Sequence, residues 1–406
     1  MSQPRTFALL VTIGLVAAAC SSSPGSAFPL AAVSPESSEP STAIGGTGTE
    51  APNLGDLRVT SAGWATDFSI ASVDLGDFQG GGPPKDGIPP IDDPRFETTT
   101  DAQTWLAPTS PVISLEIGGT ARAYPLAILV WHEIVNDTLG GTPVVVTFCP
   151  LCHTALVFER TLDGTLHDFG TTGNLRYSDL VMYDRQTESW WQQATGQAIV
   201  GTLTNKKLIF RAAQIVSLAD FAAAHPDGDV LSRDTGVDRD YGRNPYPGYD
   251  RADERPFLFS GDIDGRLAPK ERVVTLDAGG TRIAVPYPAL TAAGAIEIAT
   301  ATGPVVVFWA PGTAAALDAS EVDTGRDVGS TGVFRPMSNG QRLTFSRKGS
   351  QRGAITDAET GSNWSITGQA TAGPLAGSQL EPVIHGDHFW FAWAAFQPDT
   401  KIWSAP

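Results

Sequence analysis

The chain repeats itself in outline, and a repeat limits the possible folds more than composition can. Tyr124-Pro125 recurs as Tyr287-Pro288, and Pro143-Val-Val-Val as Pro304-Val-Val-Val. Gly170-Thr-Thr-Gly173 resembles Gly329-Ser-Thr-Gly332. Asp184-x-x-Thr187-x-Ser189-x-Trp191 matches Asp357-x-x-Thr360-x-Ser362-x-Trp364. Gly196-Gln-Ala198 with Gly201-x-Leu203 matches Gly368-Gln-Ala370 with Gly373-x-Leu375, and Pro226-Asp227 matches Pro398-Asp399. Blocks kept in one order predict two related halves, residues 54–250 and 251–406, packed together.

The secondary structure expected of each half is strand-dominated, a mainly β fold with short helices (α+β). Runs at 112–117, 143–148, 154–159, 179–183, 207–210, 282–286, 304–309 and 341–346 are short, apolar or alternating, and bounded by Gly, Asp or Pro. Helices are expected at 125–135, where apolar residues follow helical spacing after a proline, and at 219–224 and 389–396. Residues 233–270, broken by Gly242, Pro245, Pro247 and Gly248, read as an irregular crossing between the halves.

A repeat also separates architecture from chemistry. Turn glycines, strand-entry prolines and the Trp anchors are shared, as scaffold residues should be. Cys149 faces Ala310, Cys152 faces Thr313, His153 faces Ala314 and Met182 faces Ile355. The segment around His132 becomes Ala- and Gly-rich at 292–295. The soft and imidazole donors of the first half thus have no counterparts in the second, which reads as a scaffold copy.

Residues 1–19 read as an export signal: Arg5, an apolar stretch, then Ala17-Ala18-Ala19 before Cys20. A cysteine at that point resembles a bacterial lipobox, so Cys20 is expected to be lipidated and to anchor an exported protein on the extracytoplasmic face of the cell membrane. Residues 20–53, rich in Ser, Pro, Gly, Ala and Thr, read as a flexible tether. Formal net charge is −17, which argues against a nucleic-acid partner, whose phosphates demand a basic surface. Any partner besides the membrane, protein or small molecule, is left open.

Three strings carry a resemblance. They are Tyr124-Pro-Leu-Ala-Ile-Leu-Val-Trp131-His132-Glu133-Ile-Val-Asn136-Asp137, then Thr147-Phe-Cys149-Pro-Leu-Cys152, then Leu180-Val-Met182-Tyr183-Asp184-Arg185. With Asp86-Gly-Ile-Pro-Pro-Ile-Asp-Asp-Pro-Arg95 and Trp390-Phe-Ala-Trp393, they resemble bacterial domain-of-unknown-function family 3179 over roughly residues 80–406. The resemblance implies an envelope-associated protein and supplies no activity. It also implies a small residue at position 153, where this chain has His153.

Four chemistries fit Cys149-x-x-Cys152. Two thiolates with His132 and Met182 would suit copper(I), or zinc without Met182. Thiol–disulfide exchange is a second reading, but the residues after Cys152 look like a strand, so the helix terminus that usually activates such a thiol is missing. A structural disulfide would close a very short loop and contribute little entropy. Cys-x-x-Cys-His153 also fits c-type haem attachment, which is disfavoured because such sites sit on helical turns. Glu133, His153 and Arg185 are expected just outside the donors, with Asn136 a further candidate; Asp184, matched by Asp357, reads as structural. No phosphate loop, nucleophile elbow or paired-histidine metalloprotease helix is present. The alternative to a reactive centre is a binding module docking a partner through Trp190 and Trp393.

Overall fold

The computed structural model describes residues 57–277, 279–347 and 355–405, so the export signal, Cys20 and the tether lie outside the described residues. The fold is mainly β with short helices. No helix among the described residues is long and apolar enough to cross a membrane.

The first region begins with β1 (Phe78–Gly80), β2 (Pro111–Ile117) and β3 (Thr120–Pro125), followed by α1 (Leu126–His132). Then come β4 (Ile134–Leu139), β5 (Thr142–Cys149), β6 (Thr154–Glu159), β7 (Phe169–Arg176), β8 (Asp179–Asp184), β9 (Trp190–Gln192) and β10 (Gln197–Val200). It closes with β11 (Ala213–Ser217), α2 (Leu218–Ala224) and β12 (Asp229–Leu231). The second region runs β13 (Arg272–Asp277), β14 (Arg282–Pro286), α3 (Tyr287–Ala293), β15 (Ala295–Ile298), β16 (Val305–Ala310) and β17 (Ser330–Phe334). It continues with β18 (Phe345–Arg347), β19 (Ile355–Asp357), β20 (Asn363–Trp364), β21 (Ala370–Ala372), β22 (Gly386–Phe389), α4 (Trp390–Phe396) and β23 (Lys401–Ile402).

Three sheets recur in the same order. Strands β11-β2-β3-β12 and β22-β13-β14-β23 each contain one parallel pair, β3 with β12 and β14 with β23, and the first sheet continues past β12 to an antiparallel strand, Phe96–Thr98. Strands β4-β5-β6 and β15-β16-β17 are antiparallel, as are β7-β8-β9-β10 and β18-β19-β20-β21. The Asp/Thr/Ser/Trp block makes the same bonds twice. Asp184 Oδ1 accepts Thr187 N at 2.7 Å and Asp357 Oδ1 accepts Thr360 N at 2.6 Å. The second carboxylate oxygen takes Trp191 Nε1 at 3.0 Å and Trp364 Nε1 at 2.9 Å. One block is not equivalent: Gly170 lies in β7, whereas Ser330 opens β17 opposite Ala310, the place Thr154 holds opposite Cys149. Short Gly/Thr strings are common at strand ends, which is why that match misleads.

One hydrophobic core threads both regions, from Ile113, Phe148 and Met182 to Phe308, Trp364 and Phe389. Trp190 is buried and Trp393 half-buried, so the indoles expected to dock a partner are packing groups. His167, His385 and His388 are buried too. The helix expected through Val135 stops at His132, because Glu133 turns left-handed and Ile134 starts a strand. The 207–210 run keeps only a short strand at Phe210–Arg211.

Candidate metal centre

Two buried thiols and two buried carboxyls lie where three chain segments end. The first is the β5–β6 turn. The Val144–Phe148 run forms a central strand buried on both faces, and Cys149 is its last residue. Pro150 cannot donate to the ladder, so the chain turns, and His153 closes the turn with positive φ, its N–H donating to Pro150 O at 3.2 Å. The second region holds this turn: Phe389 N donates to Cys152 O at 2.9 Å.

The second segment is the β7–β8 hairpin. Arg176 pairs with Asp179 across Tyr177-Ser178, both left-handed, a two-residue hairpin that usually prefers Asn-Gly. Side chains pin this strained turn. Tyr177 Oη donates to Asp77 Oδ2 at 2.8 Å and Ser178 Oγ to Phe257 O at 2.5 Å. The Cys149 thiol donates to Ser178 O at 3.6 Å. Asp179 then enters β8, fully buried, with Oδ2 accepting Gln192 Nε2 at 2.5 Å and Ala194 N at 2.9 Å.

Ligand atoms of Cys149, Cys152 and Asp179 all lie within 4.8 Å of one another, and the two cysteines are not disulfide-bonded. Asp179 Oδ1 has no hydrogen-bond partner. Burial pushes the Asp179 carboxyl up to about 6. It raises the Cys149 thiol and raises Cys152 further, with Cys149 beside it adding to the rise.

The third segment is the end of α1. Register Ile134↔Thr147 sets Glu133 beside Phe148, whose N–H donates to Glu133 O at 2.8 Å. Burial, with Asp179 close by, pushes the Glu133 carboxyl up to about 8. Tyr246 and Tyr249 come from the crossing segment; Tyr249 Oη donates to Leu151 O at 3.0 Å. Four of the ten described non-glycine residues with positive φ (Glu133, His153, Tyr177 and Ser178) surround the pair. Such strain concentrates where function over-determines the backbone.

The expected donors are only partly assembled. His132 is not brought to the thiols, since its Nδ1 bonds Pro89 O and its Nε2 bonds Tyr241 Oη, each at 2.6 Å. The residue after it, Glu133, lies beside Phe148, with its carboxyl outside the cluster. Met182 shares the core with the cysteines, but three positions along β8 it faces the side opposite Asp179. Arg185 lies beyond the far end of β8, roughly 20 Å along the strand from Asp179, where it pairs with Asp92. His153 adjoins Cys152 in sequence, yet its ring stacks on Phe389 and its Nε2 accepts from Arg272. Asn136 bonds Asp92 and Phe169. Asp179, the donor not foreseen, had one visible signal: an acid opening an otherwise apolar strand.

The model of the family described as "Protein of unknown function (DUF3179)" matches residues 85–400. No curated protein and no solved structure matches the chain.

Proposed function

The chain belongs to the DUF3179 family, whose description assigns no activity, and we propose that it is a metal-centre protein in which Cys149, Cys152 and Asp179 bind zinc or copper. One observation carries this reading. A fully buried carboxyl, one oxygen of which lacks a hydrogen-bond partner, places an oxygen within 4.8 Å of two free thiols. Leaving such a group unpaired costs about 1–3 kcal/mol or more, and a bound cation removes that cost. Binding would also draw the protons off all three groups, whose pKa values burial raises, because a metal favours the deprotonated form.

The thiol-exchange reading is weaker on the same facts. An attacking cysteine needs a lowered thiol pKa and access, whereas both thiols here are buried and raised. We propose further that the protein is exported and anchored through a lipid on Cys20. The like order of elements in the two regions supports descent from one duplicated unit.

Elemental analysis and thiol titration of protein purified after export test the centre. One equivalent of zinc or copper is expected, lost when Cys149→Ser and Cys152→Ser are combined, and bound at least about tenfold more weakly in Asp179→Asn. A chain that takes up neither ion and holds an inert 149–152 disulfide would refute the proposal.

A further inference from the structure

The two regions share one backbone junction and fill it with different residues. Helices α1 and α3 each end in a left-handed residue, Glu133 at φ 58° and Gly294 at φ 74°. Glu133 N donates to Leu129 O at 2.8 Å, and Gly294 N to Leu290 O at 2.6 Å. Phe148 N donates to Glu133 O at 2.8 Å, and Trp309 N to Gly294 O at 2.9 Å. Glycine is the residue this geometry favours, because it has no Cβ to crowd the following carbonyl.

Glu133 departs from that preference twice over. Its backbone is strained, and it is a mostly buried acid whose carboxyl feels the like charge of Asp179. A position that accepts both penalties, where its counterpart avoids both, keeps its side chain for chemistry.

We propose that Glu133 supplies the fourth donor of the centre through a carboxylate oxygen, making it a two-thiolate, two-carboxylate site for a divalent cation, zinc rather than copper(I). This rests on the metal reading above and adds the completing ligand and the choice of ion. Glu133 stands next to Phe148 at the edge that delivers Cys149, and the Asp179 charge reaches it. Its carboxyl is outside the three-donor cluster, so coordination draws it inward by rotation about side-chain torsions that a shorter Asp would lack. Four protein ligands are what a closed zinc site requires, and this set carries the same net charge as a four-thiolate one. Carboxylate oxygens are hard donors; they favour zinc and contribute little to copper(I).

Separate titrations of the full exported protein with Zn(II) and Cu(I) test this, using E133Q and E133G. Zinc affinity should fall by about tenfold or more in both variants, while copper(I) affinity stays within about threefold of wild type because thiolates dominate it. In the metal-free protein E133G should raise the thermal midpoint, since it removes strain and a buried acid together. If wild type binds one zinc and E133Q binds it equally well, the fourth-donor assignment is wrong and the three-donor centre stands. If wild type binds neither ion, the centre itself falls, and this assignment with it.

Discussion

The outer faces of two equivalent sheets differ completely. On the β7–β10 sheet that face carries Val181, Tyr183, Trp190, Ile199 and Val200, all buried beneath Phe68, Leu75 and Phe78. On the β18–β21 sheet the matching positions are Thr356, Asn363, Thr371 and Ala372, and the last three are exposed. The inner faces keep the same Asp/Thr/Ser/Trp bonds. Inner faces therefore set the architecture, and outer faces follow whatever covers them. The cover here, residues 57–80, precedes the stretch matched to the family and reaches the centre. Its Asp77 bonds Arg176 and Tyr177 in the hairpin that delivers Asp179.

The largest effect should come from the indole under that cover. Trp190 meets Trp64, Phe68 and Phe78 edge-on at 5.1–5.2 Å between ring centres. Trp190→Ala should cost about 3–5 kcal/mol in denaturant unfolding, and Asn363→Ala at the matching exposed position no more than about 0.5 kcal/mol. Similar costs at the two positions would break the comparison.

A second contrast concerns pH. His132 is buried where its counterpart Ala293 is exposed, because Tyr241 from the crossing segment covers the end of α1. Burial holds the His132 ring down at about 4, with Arg239 adding a little and the Pro89 carbonyl opposing. The folded state thus resists a proton that the unfolded state accepts near 6.5. Stability is fully present above about 6.5 and drains away as pH falls toward 4, by about 3 kcal/mol in all. His132→Gln should flatten that slope relative to wild type; parallel profiles between pH 4 and 6.5 would show that this histidine is not responsible.

Much of the fold was legible because its signals are local. Strand runs bounded by Gly and Pro, and a Trp anchored to an Asp seven residues before it, need no partner to be recognised. The centre was legible only in part, for a reason of register. His132 was expected among the donors, yet α1 ends at a left-handed Glu133 and the His132 ring bonds Pro89 and Tyr241 instead. Such a turn is hard to anticipate at a glutamate, since sequence rules expect glycine there. Asp179 converges from a hairpin whose closing residues, Tyr177 and Ser178, break the usual Asn-Gly preference and are held by distant side chains.

The smallest expected effect tests whether thiols alone make the centre. Ala310→Cys with Thr313→Cys would copy the cysteine spacing into the second region. The chain there lacks both oxygen donors: Gly294 replaces Glu133, and the residue five before Asp357 is Arg352, where Asp179 is five before Asp184. The turn differs as well, since Thr313 Oγ1 bonds Ser330 Oγ and Thr313 N bonds Asp327, in a connection many residues longer than Pro150–His153. The grafted chain should bind no second equivalent of zinc and lose only about 1 kcal/mol, the net worth of the Thr313 hydrogen bond. A second equivalent held as tightly as the first would mean that the carboxylates are idle and that spacing alone suffices. Its absence would tie the chemistry to the acids that burial has collected around one pair of thiols and not the other.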